Sequence, residues 1–408
     1  MPFKETCVEE ETMRFIAACL KNEANMTERC EAFGISREWG YELLRRFRVA
    51  GPAGLMPQSK APHRHGQAMP AAMAAAILRL RCEWPSWGPK KLRAELARRE
   101  PGVGWPAHST IGDLLRREGL SQPRKRCRTP MPVTQPFAPV RAPNDLWCID
   151  FKGWFRTRDG QRCDPLTLTD ADSRFLLACR IVEPTAEGVH PVVERALREH
   201  GLPLAIRSDN GPPFASTGAG GLTALAAHWV KLGIRLERTD PGSPQQNGRH
   251  ERMHGTLKKE ALTPPANTPT AQQGVLDGFR HNFNQVRPHE ALGQKTPASR
   301  YTPSPRSYPD RIEEPTYDAE HAVRRVRTNG TIKWGGELVF ISEALIGEPV
   351  GVAETLTGDW IVRFADIRLG YIDRRTKKLR HFAPARPGRR KAHNTEQAEN
   401  TVSDVSGQ

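Results

Sequence analysis

Three acids stand where a carboxylate is out of character with its surroundings. Asp150 lies inside the apolar run LWCIDFKGWF. An aspartate in a strand-like segment is disfavoured unless something there uses its charge. Asp209 follows the apolar run LAIRS, in SDNGPPF, and catalytic groups collect where the strands of α/β sheets end. Glu251 sits among Arg, His and Lys in PGSPQQNGRHERMHGTLKKE. Alone it reads as an ion-pair partner on a basic helix. Three carboxylates converging from two strand ends and a helix would instead offer hard oxygen ligands to Mg²⁺. Two such ions, about 3.5–4 Å apart, hold the attacking and leaving oxygens of a phosphoryl transfer in line. Asp145, Asp170 and Asp172 compete for the first position. Asp145 precedes the strand, and the other two fall in the turn-like TDADS. Glu237 competes for the third from within IRLERTD.

The elements that must position these acids follow from hydrophobic period. LWCIDFKGWF, DPLTLTD and RFLLACRIV read as strands split by turn residues. AEGVHPVVERALREHG reads as a helix stopped by Gly201, then LAIRS as a strand, LTALAAHWVKLG as a helix and IRLERTDP as a strand. Strands first, then helix and strand alternating, predict an α/β layer with a mixed sheet. Pro244, Asn247 and Gly248 shape the loop that enters the Glu251 helix, which turns helical by about Arg249. Asn210 and Gly211 shape the loop after Asp209.

On the amino-terminal side, TERCEAFGISREWGYELLRRF has helical apolar spacing. Gly34 stands where a helix cap belongs and Ser36 at the next N-cap. Helix, short Gly turn, helix is the helix-turn-helix pattern. Arg37, Arg45 and Arg46 lie on its second helix. Residues 67–122 predict a second, winged-helix-like module. It has helices in AAMAAAILRLRCEW, in WGPKKLRAELARRE with Lys90 and Lys91, and in TIGDLLRREGL, where Thr110 and Asp113 resemble a capping box. SQPRKRCRTPMPVTQPFAPVRAPN is a basic, Pro-rich linker. Residues 323–373 have short strands divided by NG, GG and GD turns, which suggests a small antiparallel barrel. The tail beyond is basic, then polar, and predicts disorder.

A chain of 408 residues predicts three or more domains. Its net charge of +15 favours a polyanionic partner. A membrane is not expected: the sequence has no apolar run near 18 residues and a polar, acidic amino terminus, MPFKETCVEEETM. The eight cysteines are scattered, without a CxxC pair, which argues against a zinc module or a disulfide framework and for free thiols.

Together, DLWCIDFKGWF, RSDNGPPFAS and SPQQNGRHERMHGTLKKE resemble the three acidic segments of retroviral-integrase-like DDE transposases. The TPASRY segment resembles that family's usual exit from its core. FGISR, WPSWGPKKLRAEL and PAHSTIGDLL are similar to modules of bacterial insertion-sequence transposases. The resemblance implies a helix-turn-helix domain at 1–56, a second helical domain at 67–122 and a linker at 123–144. It implies a ribonuclease H-like catalytic core at 145–305, a small β domain at 318–375 and a tail at 376–408. It implies that Asp150, Asp209 and Glu251 bind two Mg²⁺ ions, with Mn²⁺ able to substitute. The expected partners are double-stranded DNA, as terminal inverted repeats and target, and further copies of the chain. Basic Arg249, Arg252, Lys258 and Lys259 would hold phosphates. The expected setting is a bacterial cytoplasm, at the nucleoid. One departure is the interval from Asp209 to Glu251, several residues longer than usual. STGAGGLTAL has room for that insertion, and a longer loop costs little entropy. A hydrolytic nuclease of the same fold and an inactive DNA-binding derivative are the rival readings.

Overall fold

The computed structural model describes residues 7–21, 24–56, 69–121, 137, 139–240 and 244–382. Most of the Pro-rich linker and all of the tail lie outside these residues. The chain divides into two compact units, residues 1–70 and 71–408.

The first unit is helical: α1 (Val8–Lys21), α2 (Met26–Ala32) and α3 (Arg37–Ala50). Asn25 closes a capping box with Glu28 at the start of α2. The expected turn is present: Gly34 takes φ 63° and the Ser36 side chain accepts from the Trp39 N–H. Phe15, Ile16, Cys19, Cys30 and Leu43 form the core. Gly40 lets α3 approach closely, since a Cβ there would lie 2.6 Å from Cys30 Sγ.

The second unit begins with α4 (Ala71–Glu83), α5 (Pro89–Arg99) and α6 (His108–Arg117). Ile77, Trp87, Leu92 and Ile111 are fully buried between them. Among the described residues 69–121 there is no strand, so no wing accompanies these helices. The Thr110–Asp113 capping box does not form. The helix starts earlier, after Ala107, with no side-chain cap, and Asp113 pairs with Arg116 instead. The module is also bonded to residues near the carboxyl ends of two later helices: Lys90 pairs with Glu290, and the Ser86 hydroxyl donates to Glu260.

The next layer contains β1 (Trp147–Phe151), β2 (Phe155–Arg156), β3 (Arg162–Cys163), β4 (Pro165–Asp170) and β5 (Leu176–Ile181). It continues with α7 (Ala186–His200), β6 (Ala205–Ser208), α8 (Ala224–Lys231), β7 (Arg235–Arg238), α9 (Gly248–Ala261) and α10 (Pro269–Gln285). The sheet order is β5-β4-β1-β6-β7. β1 runs antiparallel to β4 and parallel to β6, giving the expected mixed sheet. Its fully buried strands explain why they read as continuous apolar runs. Trp147, Ile149, Leu166 and Leu168 pack with α7 and α8 in one core, while α9 and α10 form another with Leu176 and Cys179.

The carboxy-terminal strands are β8 (Ala322–Arg325), β9 (Thr331–Trp334), β10 (Glu337–Phe340), β11 (Pro349–Glu354), β12 (Trp360–Phe364), β13 (Ile367–Ile372) and β14 (Leu379–Arg380). They form an open five-stranded sheet, β14-β13-β12-β11-β8, and a β9–β10 hairpin turned by Gly335-Gly336. A closed barrel, the sequence expectation, does not form: β14 and β8 remain as edges, and β9 and β10 leave the sheet to pair with each other.

The inner face of this sheet shares a core with α8 and the Gly-rich stretch before it. Ala219, Leu222, Ala226 and Ala227 cluster with Val350, Phe364 and Leu369. A Cβ on Gly220 would lie 3.0 Å from Leu369. The insertion is therefore a seat for the terminal sheet.

Candidate active site

Strand register brings the first two acids together. β1 pairs β6 through Trp147 with Ile206 and Cys148 with Arg207. Continuing that register sets Asp209, one residue past β6, level with Asp150, and neighbouring strands lie about 4.8 Å apart. Phe214, from the loop after Asp209, packs its ring 6.0 Å from that of Phe151 and so ties the loop to β1. The Gly211 N–H donates to the Asp209 carboxylate, and its carbonyl accepts from Phe214 and Ala215.

Glu251 joins from the first turn of α9, which starts at Gly248 after a 3₁₀ turn at Pro244–Asn247. That turn is anchored by a residue that sequence reasoning passed over. Gln246 is buried, exchanges two 2.8 Å hydrogen bonds with Asp240, and its carbonyl accepts from Arg207.

Burial and neighbouring charge act on the Asp150 carboxyl. Asp150 is pushed up to about 7, first by burial and next by the charge of Asp209. Glu251 raises it further, while a backbone hydrogen bond from Phe151 and the Lys152 charge oppose the shift. Asp209 is raised by desolvation, partly offset by Gly211. Among the described residues none of the three carboxylates has a Lys or Arg ion-pair partner. The competing acids all do structural work. Asp170 accepts from Asn144 and Ser173 N–H groups and the Ser173 hydroxyl. Asp172 pairs with Arg300, Asp145 accepts from the Arg141 and Ala142 N–H groups, and Glu237 pairs with Arg207.

Two histidines on α9 were not foreseen. His250 and His254 are buried one helical turn apart, facing Thr167 and Thr169 of β4. The Thr167 hydroxyl lies 2.7 Å from Nε2 of both and 3.0 Å from the Asp150 carbonyl, and Thr169 lies 2.8 Å from His250 Nδ1. Burial holds His250 well below its ordinary range, and lowers His254 to about 3, assisted by Lys152. Both rings are therefore neutral near pH 7. One assignment satisfies both hydroxyls, both Nε2 atoms and His250 Nδ1. Thr167 donates to the Asp150 carbonyl and accepts from both Nε2–H groups, and Thr169 donates to His250 Nδ1.

Asp150, His250 and His254 offer ligand atoms within 4.8 Å of one another. His250 has no free lone pair in this network, so the trio does not make a two-histidine metal site. His254 Nδ1, 3.9 Å from the Asp150 carboxylate, is neutral and forms no ion pair with it. The sequence signal was available: alternate threonines in LTLTD share a strand face, and His250 and His254 share a helix face.

The proposed DNA contacts divide. Arg249, Arg252, Lys258 and Lys259 are exposed on α9. In the helical unit Arg37 is exposed, while Arg45 and Arg46 both hydrogen-bond Glu42 at 2.8 Å. Lys90 pairs with Glu290, and Lys91 is half-buried. Four residues after Asp150 in the chain, Trp154 is 59% exposed, with Arg156 and Arg162 within 5.8 and 5.5 Å of its ring.

Comparison with known families places these regions. An integrase core domain family matches residues 140–244, and a second of the same description matches 232–297. A homeodomain-like domain matches 39–115, and an IS481 family transposase C-terminal domain matches 321–380. An uncharacterized 31.7 kDa protein of insertion element IS407 from Burkholderia multivorans is 29% identical over 55% of this chain and 79% of its own. An uncharacterized 39.2 kDa protein of insertion element IS476 from Xanthomonas euvesicatoria is 29% identical over 56% of this chain and 64% of its own. The HTLV-2 integrase catalytic core domain, solved in complex with magnesium, aligns at 20% identity over 39% of this chain and 97% of that one, with a TM-score of 0.31.

Proposed function

Because the chain belongs to the insertion-sequence transposases with a retroviral-integrase-like core, we propose that Asp150, Asp209 and Glu251 catalyse end cleavage and strand transfer of such an element. The observation that carries this reading is the raised Asp150 carboxyl, pushed up first by burial and then by the charges of Asp209 and Glu251, with no Lys or Arg ion pair to it among the described residues. A site that crowds like charges gains from a bound cation. The three carboxylates fit divalent metal, with Mg²⁺ the natural occupant at two positions and Mn²⁺ a substitute. Bound there, the metal supplies charge neutralisation on the phosphate and makes a hydroxyl more acidic.

The chain's own residues do the rest. β1 and β6 hold Asp150 and Asp209 level, and α9 brings Glu251 across. The neutral Thr167–His250–His254 network seats α9 on β4. In the first reaction water breaks a phosphodiester and frees a 3′-hydroxyl. In the second that hydroxyl attacks a target phosphodiester, whose own 3′-oxygen leaves. Neither step needs a covalent protein intermediate. Arg249, Arg252, Lys258 and Lys259 lie where they can hold the backbone, and Trp154 offers a face on which a base can stack. The helical modules bind the element's terminal inverted repeats. Joining two ends requires at least two protomers, working on DNA in the bacterial cytoplasm and nucleoid.

A strand-transfer assay tests the proposal, using labelled DNA flanking the gene, a supercoiled target and Mg²⁺ or Mn²⁺. Asp150→Ala, Asp209→Ala and Glu251→Ala should each abolish joined product, while Glu237→Ala should not abolish it through loss of metal. Cleavage without joining would favour a nuclease. Joining that survives Glu251→Ala would remove that residue from the site.

A further inference from the structure

A cavity of about 280 Å³ lies beneath the amino-terminal half of α9, and Glu251 is not part of its lining. Five cationic side chains converge on it from four places: Lys91 of α5, Arg174 after β4, Arg249 and Arg252 of α9, and Arg287 after α10. The acids nearby already have partners, one of which, Arg287, belongs to this cationic set. Asp170 is enclosed by three hydrogen bonds from Asn144 and Ser173. Glu290 pairs with Lys90, and Glu260 holds Arg287. Among the described residues Arg249 and Arg252 each donate one hydrogen bond to a protein carbonyl, of Ala171 and of Gly248.

Arg174 is the member of the five with an orphaned buried donor. Its Nε is buried without a hydrogen-bond partner among the described residues. Its backbone sits at φ 66°, a left-handed conformation that costs a bulky residue free energy. The like charges are felt: Arg174 falls to about 10 through desolvation and then Arg249 and Arg252, and Lys91 to about 8 through desolvation and then Arg287. A fold that spends burial, repulsion and an unfavourable φ on one guanidinium gains little unless an anion meets it.

We propose that this cavity binds a phosphate group, held by Arg174, Arg249 and Arg252 with Lys91 and Arg287 behind them. Planar guanidinium forks suit phosphate oxygens. The assigned source is a backbone phosphate of DNA passing between the α4–α6 module and the core, which rests on the transposase reading. Affinity for the phosphate group itself does not.

Arg174→Gln in the full chain tests this, with Arg14→Gln, an exposed change on α1, as the charge control. In chloride, Arg174→Gln should melt above wild type, because it relieves repulsion. Inorganic phosphate at matched ionic strength should raise the wild-type and Arg14→Gln melting temperatures, and Arg174→Gln should lose most of that rise. With a duplex of element-end sequence, Arg174→Gln should bind about tenfold more weakly, and its log affinity should fall less steeply with log salt, by about one unit of slope. Loss of the phosphate response with unchanged duplex binding would keep the site and reject DNA as its source. Equal phosphate responses in all three proteins would overturn the proposal. The phosphate measurement needs no catalysis, so a failed strand-transfer assay leaves it intact.

Discussion

Asp150 has a consequence for stability as well as for chemistry. Its carboxyl is raised to about 7 in the folded chain, above its unfolded range, so the folded state binds the extra proton. The metal-free protein should therefore lose stability as pH rises from the ordinary carboxylate range through about 7. Asp150→Asn removes that loss. It should stabilise the metal-free protein by about 4 kcal/mol at pH 8 and by almost nothing near pH 4. Thermal melts across pH measure this directly. A variant less stable than wild type at pH 8 would show that its surroundings do not raise the Asp150 carboxyl.

At the scale of elements, α9 does two jobs with two faces. One face carries Glu251, and the other seats His250 and His254 on the Thr167 hydroxyl. Thr167→Val keeps the shape and removes the group that accepts from both rings. Leaving buried donors unpaired costs about 1–3 kcal/mol each, so we expect that loss in chemical denaturation, together with slower strand transfer as Glu251 drifts. Thr167→Ser should restore both. If Val and Ser behave alike, methyl packing rather than the hydrogen bonds holds the helix.

Taking the molecule as a whole, the terminal sheet is not a detachable appendage. Its inner face completes the core that Leu222, Ala226 and Ala227 begin. A chain ending at residue 320 should expose this surface, bind a hydrophobic dye and aggregate. A truncated protein that melts like the full chain and stays dispersed would show that the sheet folds independently of α8. The second helical module is likewise joined to the core through Ser86 and Lys90. No helix among the described residues is long and apolar enough to cross a membrane.

Local signals made much of this legible. Gly34 and Ser36 marked a turn because only certain residues take those backbone positions. Pro89 opened α5 and Gly201 closed α7 for the same kind of reason. The three acids stood out in the sequence because each broke the pattern of its own segment. The Thr110–Asp113 box failed because a capping pattern is short and recurs by chance within helices. The barrel failed because alternation and turns specify strands, whereas closure depends on whether the first and last strands meet.

What the sequence determined by itself was therefore the identity of the elements and the acids they carry, since backbone propensity and residue type act locally. Only the tertiary structure decided how groups far apart in the chain share space. It set Asp170, Asp172 and Glu237 into structural bonds, and it left Asp150, raised by burial and by the charges of Asp209 and Glu251, without a Lys or Arg ion pair among the described residues. It turned a glycine-rich insertion into a seat for a sheet. It gathered Arg174, Arg249, Arg252 and Arg287 around one cavity. Charge repulsion, desolvation and hydrogen-bond satisfaction depend on distance in space, and the order of residues does not contain that distance.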